Sequence, residues 1–520
     1  MSKISRLLCM ALCICIVLTM ALSGCGNTTP ASKDESTDKS TAAATPAVKT
    51  EPELEPYEVV WYFGGNGSEP NEKLVEDEIG KYLKDKINTT VDIVTFPLGE
   101  FAQKVQTIIT SGEKADLFFS CSWCMGYLDV ARHGLAVEIT DDMLNKYAPH
   151  AKEVLAEKWL PGAKVDGKLY HLPCNKEVGA QGGVLLNKAL VDKYHFDLST
   201  IKKYEDLTSM LQTIKDNEPD IYPLGTCAND TTAQLIGCYG NWSGTNAYIN
   251  FPMNGTKWVT VFDIPECVET FRVAKKFYDA GFVRKDVATV GDVTPDLKAG
   301  KVFATHMQLK PGKDAEMANT TPGIEWVQAG LTDCVIRSGD VTGSMMAIPV
   351  TCPKPERVLQ FYDYFYHDIN MLTMLNYGVE NLHWVKVDDK TIDYAPATEG
   401  GTKSGWRPPY SLWMAGDQFK NYLLKGENPN KYADLAKFNS DCKPFGDSLG
   451  FLFDPSPIQN TFDKLTASGT DQYNLLMLGC AGDVDAAIAK QMKTWNDAGL
   501  QDVLAEYNKQ YEAFLAAKKK

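Results

Sequence analysis

The chain has 520 residues, a formal net charge of −15, and aromatic side chains at 10% of its positions. This length allows one large bilobed domain or two to three ordinary ones. The acidic balance argues against polyanions such as nucleic acid as partners, and it suits solubility outside a cell.

The first 24 residues have the pattern of a secretory signal peptide. Lys3 and Arg6 precede an apolar stretch that is too short to span a membrane. The next motif, Leu22-Ser23-Gly24-Cys25, resembles the lipobox of bacterial lipoproteins. We therefore expect cleavage after residue 24 and lipidation of Cys25, which would hold the protein on the outer face of a membrane. The alternatives are an ordinary leader with a chance cysteine, or an uncleaved anchor.

Residues 25–56 are predicted to be a disordered tether. After Cys25 this segment consists mainly of Asn, Thr, Pro, Ala, Ser, Lys, Asp and Glu, with almost no large apolar side chain. Such a composition cannot bury enough surface to fold.

The folded part is predicted to begin at Tyr57 with alternating strands and helices. Strands are predicted over 58–63, 91–96 and 115–120, with amphipathic helices between them. This spacing indicates a parallel sheet with right-handed crossovers. Ligands of such sheets bind beyond the carboxyl ends of the strands, here at 62–67 and 120–127.

A second α/β unit is predicted after a hairpin over 164–170, whose turn is Asp166-Gly167. The elements of this second unit are predicted at 184–188 (strand), 204–215 (helix), 221–225 (strand), 265–280 (helix) and 299–304 (turn and strand). The chain is then predicted to return to the first unit with a strand at 345–349 and a helix at 356–377. The tail from Gln501 onward is predicted to be a helix with a basic end.

Several motifs in this order resemble one known family. They are the lipobox and the segments 163–170, 299–302, 342–344, 375–380 and 450–455. The chain is similar to the extracellular solute-binding lipoproteins of ABC importers, in the maltose-type sugar-binding group, and to its long branch with a C-terminal extension. The resemblance covers nearly all of residues 57–520.

The resemblance implies an α/β fold of the two-lobed, periplasmic-binding-protein-like type II class, with a cleft between lobes joined by hinge crossovers. The first lobe would comprise 57–174 plus 344–380, and the second 175–343 plus 381–520 with the extension. A ligand buried from both sides would favour the closed state.

The implied function is binding without a reaction. A carbohydrate, in particular an oligosaccharide, would be captured and delivered to ABC permease subunits by a monomer on the cell membrane, extracellular in a Gram-positive-type cell. No cofactor, metal or nucleic acid is expected. The alternative ligands are a peptide or an anionic sugar derivative.

Candidate ligand-binding residues combine aromatic rings, which pack on the apolar face of a sugar, with amides, hydroxyls and carboxylates that bond its hydroxyls. The family pattern places them at Tyr62, Gly65, Asn66, Ser120, Ser122, Trp123, Asn175, Glu177, Gln181, Asn229, Asp230 and Trp242. Two late aromatic residues, Trp406 and Trp413, are further candidates that would supply an aromatic face in place of one the family has elsewhere. Trp61 is expected in the core, and a hinge salt bridge is an alternative role for Glu177. The family often has an aromatic residue after the strand at 302–304; here the sequence reads Met307-Gln308-Leu309.

The sequence supports an enzymatic function less well than it supports ligand binding. Residues 446–450 match G-x-S-x-G and begin like the GDSL esterases, but Lys443-Pro444 precedes them and the last histidine is His383. A glycoside hydrolase stays open because its two carboxylates cannot be read from sequence. Cys121 and Cys124 form a C-x-x-C pair, for which structural thiols are favoured over a redox or zinc site.

Overall fold

The computed structural model describes residues 54–65, 67, 70–156, 159–227, 232–242, 248–396, 406 and 413–518. The leader, Cys25 and most of the tether lie outside this part of the chain. Within it, no helix has the length and apolar character needed to cross a membrane.

The strands of the described residues are β1 Tyr57–Gly65, β2 Thr89–Pro97, β3 Leu117–Phe119, β4 Lys164–Val165, β5 Lys168–Leu169, β6 His171–Pro173, β7 Ala180–Asn187, β8 Tyr222–Gly225, β9 Gly240–Asn241, β10 Ile249–Pro252, β11 Val259–Thr260, β12 Val302–Leu309, β13 Trp326–Ile336, β14 Met345–Ala347, β15 Trp384–Lys386, β16 Thr391–Tyr394, β17 Leu423–Leu424 and β18 Lys443–Pro444.

The α-helices of the described residues are α1 Glu72–Ile87, α2 Leu98–Ser111, α3 Tyr127–Arg132, α4 Asp141–Tyr147, α5 Pro149–Leu155, α6 Leu160–Ala163, α7 Lys188–Tyr194, α8 Thr208–Asn217, α9 Ala233–Ile236, α10 Pro265–Asp279, α11 Thr294–Lys298, α12 Lys313–Thr320, α13 Ser338–Val341, α14 Pro355–His367, α15 Ile369–Tyr377, α16 Lys431–Asp441, α17 Gln459–Ala467, α18 Asp471–Met477, α19 Val484–Asp497 and α20 Leu500–Lys518.

The first lobe is built on a five-stranded sheet with the order β2-β1-β3-β14-β6. Strands β1, β2 and β3 are parallel, as the sequence predicts, and β14 runs antiparallel to β3 and β6. Trp61 on β1 is 0% exposed and packs against Phe361 and Phe365 of α14. Its predicted place in the core is therefore confirmed.

The second lobe is built on a five-stranded sheet with the order β18-β13-β7-β12-β8. Its central strands β13, β7 and β12 are antiparallel neighbours, whereas β12 and β8 are parallel. The sequence predicts β7 and β8, but it does not predict β13, and β12 continues five residues beyond the expected strand to Leu309. A disulfide between Cys334 and Cys442 joins the end of β13 to the segment that precedes β18.

The predicted hairpin turn is present, whereas the long helix predicted on the return to the first lobe is two helices in the structure. Asp166 and Gly167 both have positive φ, 51° and 82°, which confirms the tight Asp-Gly turn. The helix predicted over 356–377 divides into α14 and α15 because Asp368 accepts the N–H of Asn370 and caps the second helix.

Separate cores lie under the two large sheets, and a third core forms between the segment 236–271 and the C-terminal helices α17–α20. The first core also contains Trp406, Met414 and Ala415. These three residues lie in the segment 381–520, which the resemblance assigns to the second lobe, but their side chains pack in the first lobe.

Candidate functional site

The register of the two sheets shows which edges face the crossovers. In the first sheet, the carboxyl ends of β1, β3 and β6 and the amino end of β14 lie at one edge. In the second, the carboxyl ends of β8, β12 and β13 and the amino end of β7 lie together. The chain passes from β6 to β7 in the first crossover and from β13 to β14 in the second crossover. These two edges are therefore connected by the crossovers and border the cleft.

Two tryptophans form an aromatic surface at the edge of the first sheet. Trp123 follows β3, is 54% exposed, and donates its indole Nε1–H to the carbonyl oxygen of Gly343 at 2.7 Å. The ring of Trp413, which is half-buried, lies 6.1 Å from that of Trp123 by centroid, and Phe119 packs beneath both. The hydrogen bond orients the indole of Trp123 while leaving much of its surface accessible. Such a surface suits the apolar face of a pyranose.

Three other predicted residues lie behind this surface. Tyr62 is 8% exposed and its ring stacks on Phe96, at 6.0 Å between centroids. Ser120 is fully buried, and its Oγ bonds the carbonyl of Met125 and the ring of His171. Gly65 ends β1 and is buried. In this conformation the hydroxyl of Ser120 is committed to partners inside the lobe and is not presented to a ligand.

Ser122 and Trp242 line a cavity of about 560 Å³ beside the second crossover. The cavity is also lined by residues of α3, of α13 and of the segment 451–466 in the C-terminal region. Ser122 donates its Oγ–H to the carbonyl of Gly339 at 3.2 Å. The structure thus brings together two predicted residues that are 120 positions apart in sequence.

Arg337, which the sequence analysis did not identify, positions Trp242. Its guanidinium carbon lies 4.8 Å from the centre of the Trp242 ring, a cation–π contact. It is 5% exposed and donates to both carboxylate oxygens of Asp340 and, at 2.9 Å, to the side-chain oxygen of Gln308. Asp340 is a local partner, three residues along the chain, but Gln308 and Trp242 are distant in sequence, so no local signal points to the cluster as a whole.

The first crossover carries Asn175, Glu177 and Gln181. Asn175 accepts the indole N–H of Trp159 at 3.1 Å and donates to Asp417 at 2.9 Å. Gln181 donates to the carbonyl of Thr332 at 2.9 Å. All of these hydrogen bonds fix the crossover against neighbouring segments.

Glu177 belongs to a buried ion network, which agrees with the alternative role in a salt bridge. Its carboxylate lies 3.1 Å from Lys176 Nζ and 3.2 Å from Lys310 Nζ. Lys310 also pairs with Glu316, which pairs with Lys313. Burial alone would raise the pKa of both glutamates, but the lysine ammonium groups lower the pKa of Glu177 and bring that of Glu316 to about 2.

The remaining predicted residues are not part of the described cleft. Trp406 is 1% exposed and donates its indole N–H to the carbonyl of Leu375 at 3.0 Å, so the structure places it inside the first lobe and not at the cleft. Asn66, Asn229 and Asp230 lie outside the described residues.

The reactive side chains of the two enzyme-like motifs are buried in the structure. Ser448 is fully buried in a single 3₁₀ turn, and its Oγ donates to the carbonyl of Phe445 and accepts from Asn241, both at 2.8 Å. Cys121 and Cys124 are buried free thiols, and burial raises the pKa of Cys124 to about 11. Such an enclosed hydroxyl and such unreactive thiols fit structural roles.

Comparison with known proteins agrees with this architecture. Residues 66–370, more than half of the chain, match the family model of bacterial extracellular solute-binding proteins. Residues 447–516 match a domain of unknown function. A carbohydrate ABC transporter substrate-binding protein of Streptococcus pneumoniae is 24% identical over 510 residues, which cover 97% of each chain.

Solved structures with the same fold include the N-glycan transport solute-binding protein NgtS of S. pneumoniae, with a TM-score of 0.79 and 21% identity over 89% of this chain and 100% of that one. NgtS in complex with Man5GlcNAc matches with a TM-score of 0.74 and 22% identity, over 90% and 100% of the two chains. The S. pneumoniae substrate-binding protein FusA in complex with kestose matches with a TM-score of 0.61 and 16% identity, over 88% and 100%.

The predicted two-lobed α/β fold is therefore confirmed, and the chain belongs to the family of bacterial extracellular solute-binding proteins.

Proposed function

We propose that this protein captures an oligosaccharide in the cleft between its lobes and delivers it to the permease of an ABC importer. The observation that carries the proposal is the pair of neighbouring indoles, Trp123 and Trp413, at the edge of the first sheet. Trp123 is 54% exposed and held by a hydrogen bond, and together with Trp413 it makes a contiguous aromatic surface, the kind of feature that marks a ligand-binding groove.

The comparisons support a carbohydrate ligand. The relative from S. pneumoniae is named a carbohydrate ABC transporter substrate-binding protein, and the structural neighbours NgtS and FusA are described in complex with Man5GlcNAc and kestose. We extend this ligand class to the present chain, with Trp123 and Trp413 stacking on sugar rings and Trp242 and Ser122 contacting the ligand from the cavity beside α13.

We also propose where the protein is located and how it is assembled. The lipobox-like motif ending at Cys25 and the low-hydrophobicity segment 26–56 support a lipid anchor on the outer face of the membrane, where we propose that the protein acts as a monomer. We propose binding without turnover; the G-x-S-x-G motif does not favour an esterase, because the hydroxyl of Ser448 is buried.

An anionic sugar derivative is the second candidate ligand. The ion network at the end of β12 contains three lysines, Lys176, Lys310 and Lys313, against two glutamates. Its excess positive charge lies at the cleft edge of the second sheet and would favour a carboxylated or sulfated sugar.

Mass spectrometry of the ligand released from protein purified under native conditions tests the proposal. We expect an oligosaccharide, which then binds saturably in calorimetry and is recovered intact after long incubation. Small-angle scattering should show a smaller radius of gyration when it is bound, since the closed state buries the ligand from both lobes. A peptide ligand, or hydrolysis of the glycan, would contradict the proposal.

A further inference from the structure

Two histidines and one aspartate meet on the outer surface of the first lobe, where α5 packs against α14. His150 lies in the first turn of α5, and Asp363 and His367 are one turn apart on α14. One potential donor atom from each residue lies within 4.8 Å of the other two. These residues come from helices and not from the strand ends that border the cleft, so the cluster is separate from the candidate sugar site.

The carboxylate of Asp363 is fixed in place. Its side chain is 8% exposed, and Oδ1 accepts the backbone N–H of Ala151 at 2.7 Å. The other oxygen, Oδ2, lies 2.7 Å from Nδ1 of His150. The carboxylate therefore presents one oxygen to the histidines while the other is held by the backbone of α5.

The hydrogen bond of His367 sets its tautomer. Its Nδ1 lies 2.9 Å from the backbone carbonyl oxygen of Asp363. Because a carbonyl oxygen only accepts, Nδ1 carries the proton, and Nε2 keeps a lone pair for a metal. A ligating histidine usually donates its other ring N–H to a carbonyl or carboxylate in this way.

The two imidazoles are close together and open to solvent. Their ring centroids are 3.7 Å apart at an interplanar angle of 24°. The side chain of His150 is 48% exposed and that of His367 is 32% exposed. A cation arriving from solvent can therefore reach both rings without unfolding either helix. Because a metal lies in the plane of each imidazole that binds it, the two side chains turn out of the stacked arrangement when they share the ion.

We propose that His150, Asp363 and His367 bind a divalent transition metal ion, with Zn²⁺ as the reference metal. Two imidazole nitrogens and one carboxylate oxygen suit Zn²⁺, Co²⁺, Ni²⁺ or Cu²⁺, whereas Ca²⁺ and Mg²⁺ prefer oxygen ligands alone. Water completes the coordination at this exposed position. The metal replaces the hydrogen bond between His150 and Asp363 and links α5 to α14.

The sequence does not reveal this site because its ligands do not form a motif. Asp363 and His367 are four residues apart, but His150 is 213 residues before Asp363. Helix packing alone brings the third ligand to the other two.

Calorimetric titration of the untagged, chelator-treated protein with ZnCl₂ tests the proposal. We expect one equivalent of Zn²⁺ to bind, and His150→Ala or His367→Ala to weaken binding by at least about 100-fold. The matched control is His195→Asn, since His195 is exposed on the other lobe and its φ of 52° is one that Asn tolerates. This control should bind Zn²⁺ like the unmodified protein.

A second measurement separates metal ligation from folding effects. In the presence of EDTA, both alanine variants should melt within a few degrees of the unmodified protein, and ZnCl₂ should raise the melting temperature only of the unmodified protein and His195→Asn. The absorption of the Co²⁺ complex should lack thiolate charge-transfer bands. This excludes cysteine ligands such as Cys480, a free cysteine that is only partly buried. No saturable Zn²⁺ binding, or equal binding by the His150→Ala, His367→Ala double variant, would overturn the proposal.

Discussion

Lys310 Nζ lies 3.2 Å from Glu177 Oε2, and this buried contact ties the first crossover to the end of β12. Both side chains are about one-tenth exposed, at 11% and 9%. Glu177 also faces Lys176, so one carboxylate balances two ammonium groups. The ion network thereby fixes the position from which the chain enters the second sheet.

We expect Glu177→Gln to lower the free energy of unfolding by about 3–5 kcal/mol, because removal of one partner leaves buried charge uncompensated. Urea denaturation followed by circular dichroism measures the change. The matched control is Asp77→Asn, which breaks an exposed pair with Lys73 on α1 and should have little measurable effect. If the two variants lose the same small amount of stability, the ion network does not stabilise the crossover.

The buried histidine His306 should contribute to acid sensitivity. Its Nε2 lies 2.9 Å from the hydroxyl of Tyr204, and burial lowers the pKa of His306 from its usual 6.5 to about 4. Between pH 6.5 and 4 the unfolded chain therefore binds a proton that the folded chain does not. Stability should fall as pH decreases through this window, by up to about 1.4 kcal/mol per pH unit from this group.

The variant His306→Gln should flatten that part of the profile, whatever its effect on stability at pH 8. The measurement is the free energy of unfolding at several pH values from 8 to 4. His171, whose pKa burial lowers to about 3, still contributes a slope in the variant. An unchanged profile between pH 6.5 and 4 would mean that His306 is able to accept a proton in the folded protein.

Replacement of Cys25 by Ala should abolish lipid attachment and leave the folded domain intact, because the segment 26–56 separates the anchor from the first strand. Membrane fractionation and thermal melting of the two proteins measure both effects. Sedimentation of Cys25→Ala with membranes after a salt wash would contradict the lipobox interpretation.

Much of the first lobe could be predicted because its signals are local. The apolar run of β1, the Asp166-Gly167 turn and the position of Trp123 directly after β3 each follow from adjacent residues. Proximity to the end of a parallel strand is sufficient to place a side chain at the sheet edge, whichever tertiary contacts follow.

The rest depends on contacts between distant segments. Nothing near Trp406 in sequence indicates that its indole donates to Leu375, 31 positions earlier, and packs in the first lobe. Arg337 supports Trp242 only because the fold brings Gly237 and Gln308 to its guanidinium group. The candidate side chains selected from sequence position therefore divide into exposed residues, such as Trp123, and buried ones, such as Ser120.

The central claim is that Trp123 stacks on a bound sugar, and paired measurements on Trp123→Ala test it most directly. Loss of a desolvated indole contact should cost about 1–3 kcal/mol of binding free energy. This corresponds to affinity for the oligosaccharide that is roughly ten-fold to a hundred-fold weaker by calorimetry. The denaturation midpoint should change little, because Trp123 is 54% exposed.

The comparison variant is Trp61→Ala, which removes a fully buried indole and should cost about 3–5 kcal/mol of folding stability. Weakened binding by Trp123→Ala at a nearly unchanged midpoint is the result that we predict. Unchanged affinity together with a large fall in the midpoint would show that Trp123 is structural and that the ligand binds elsewhere.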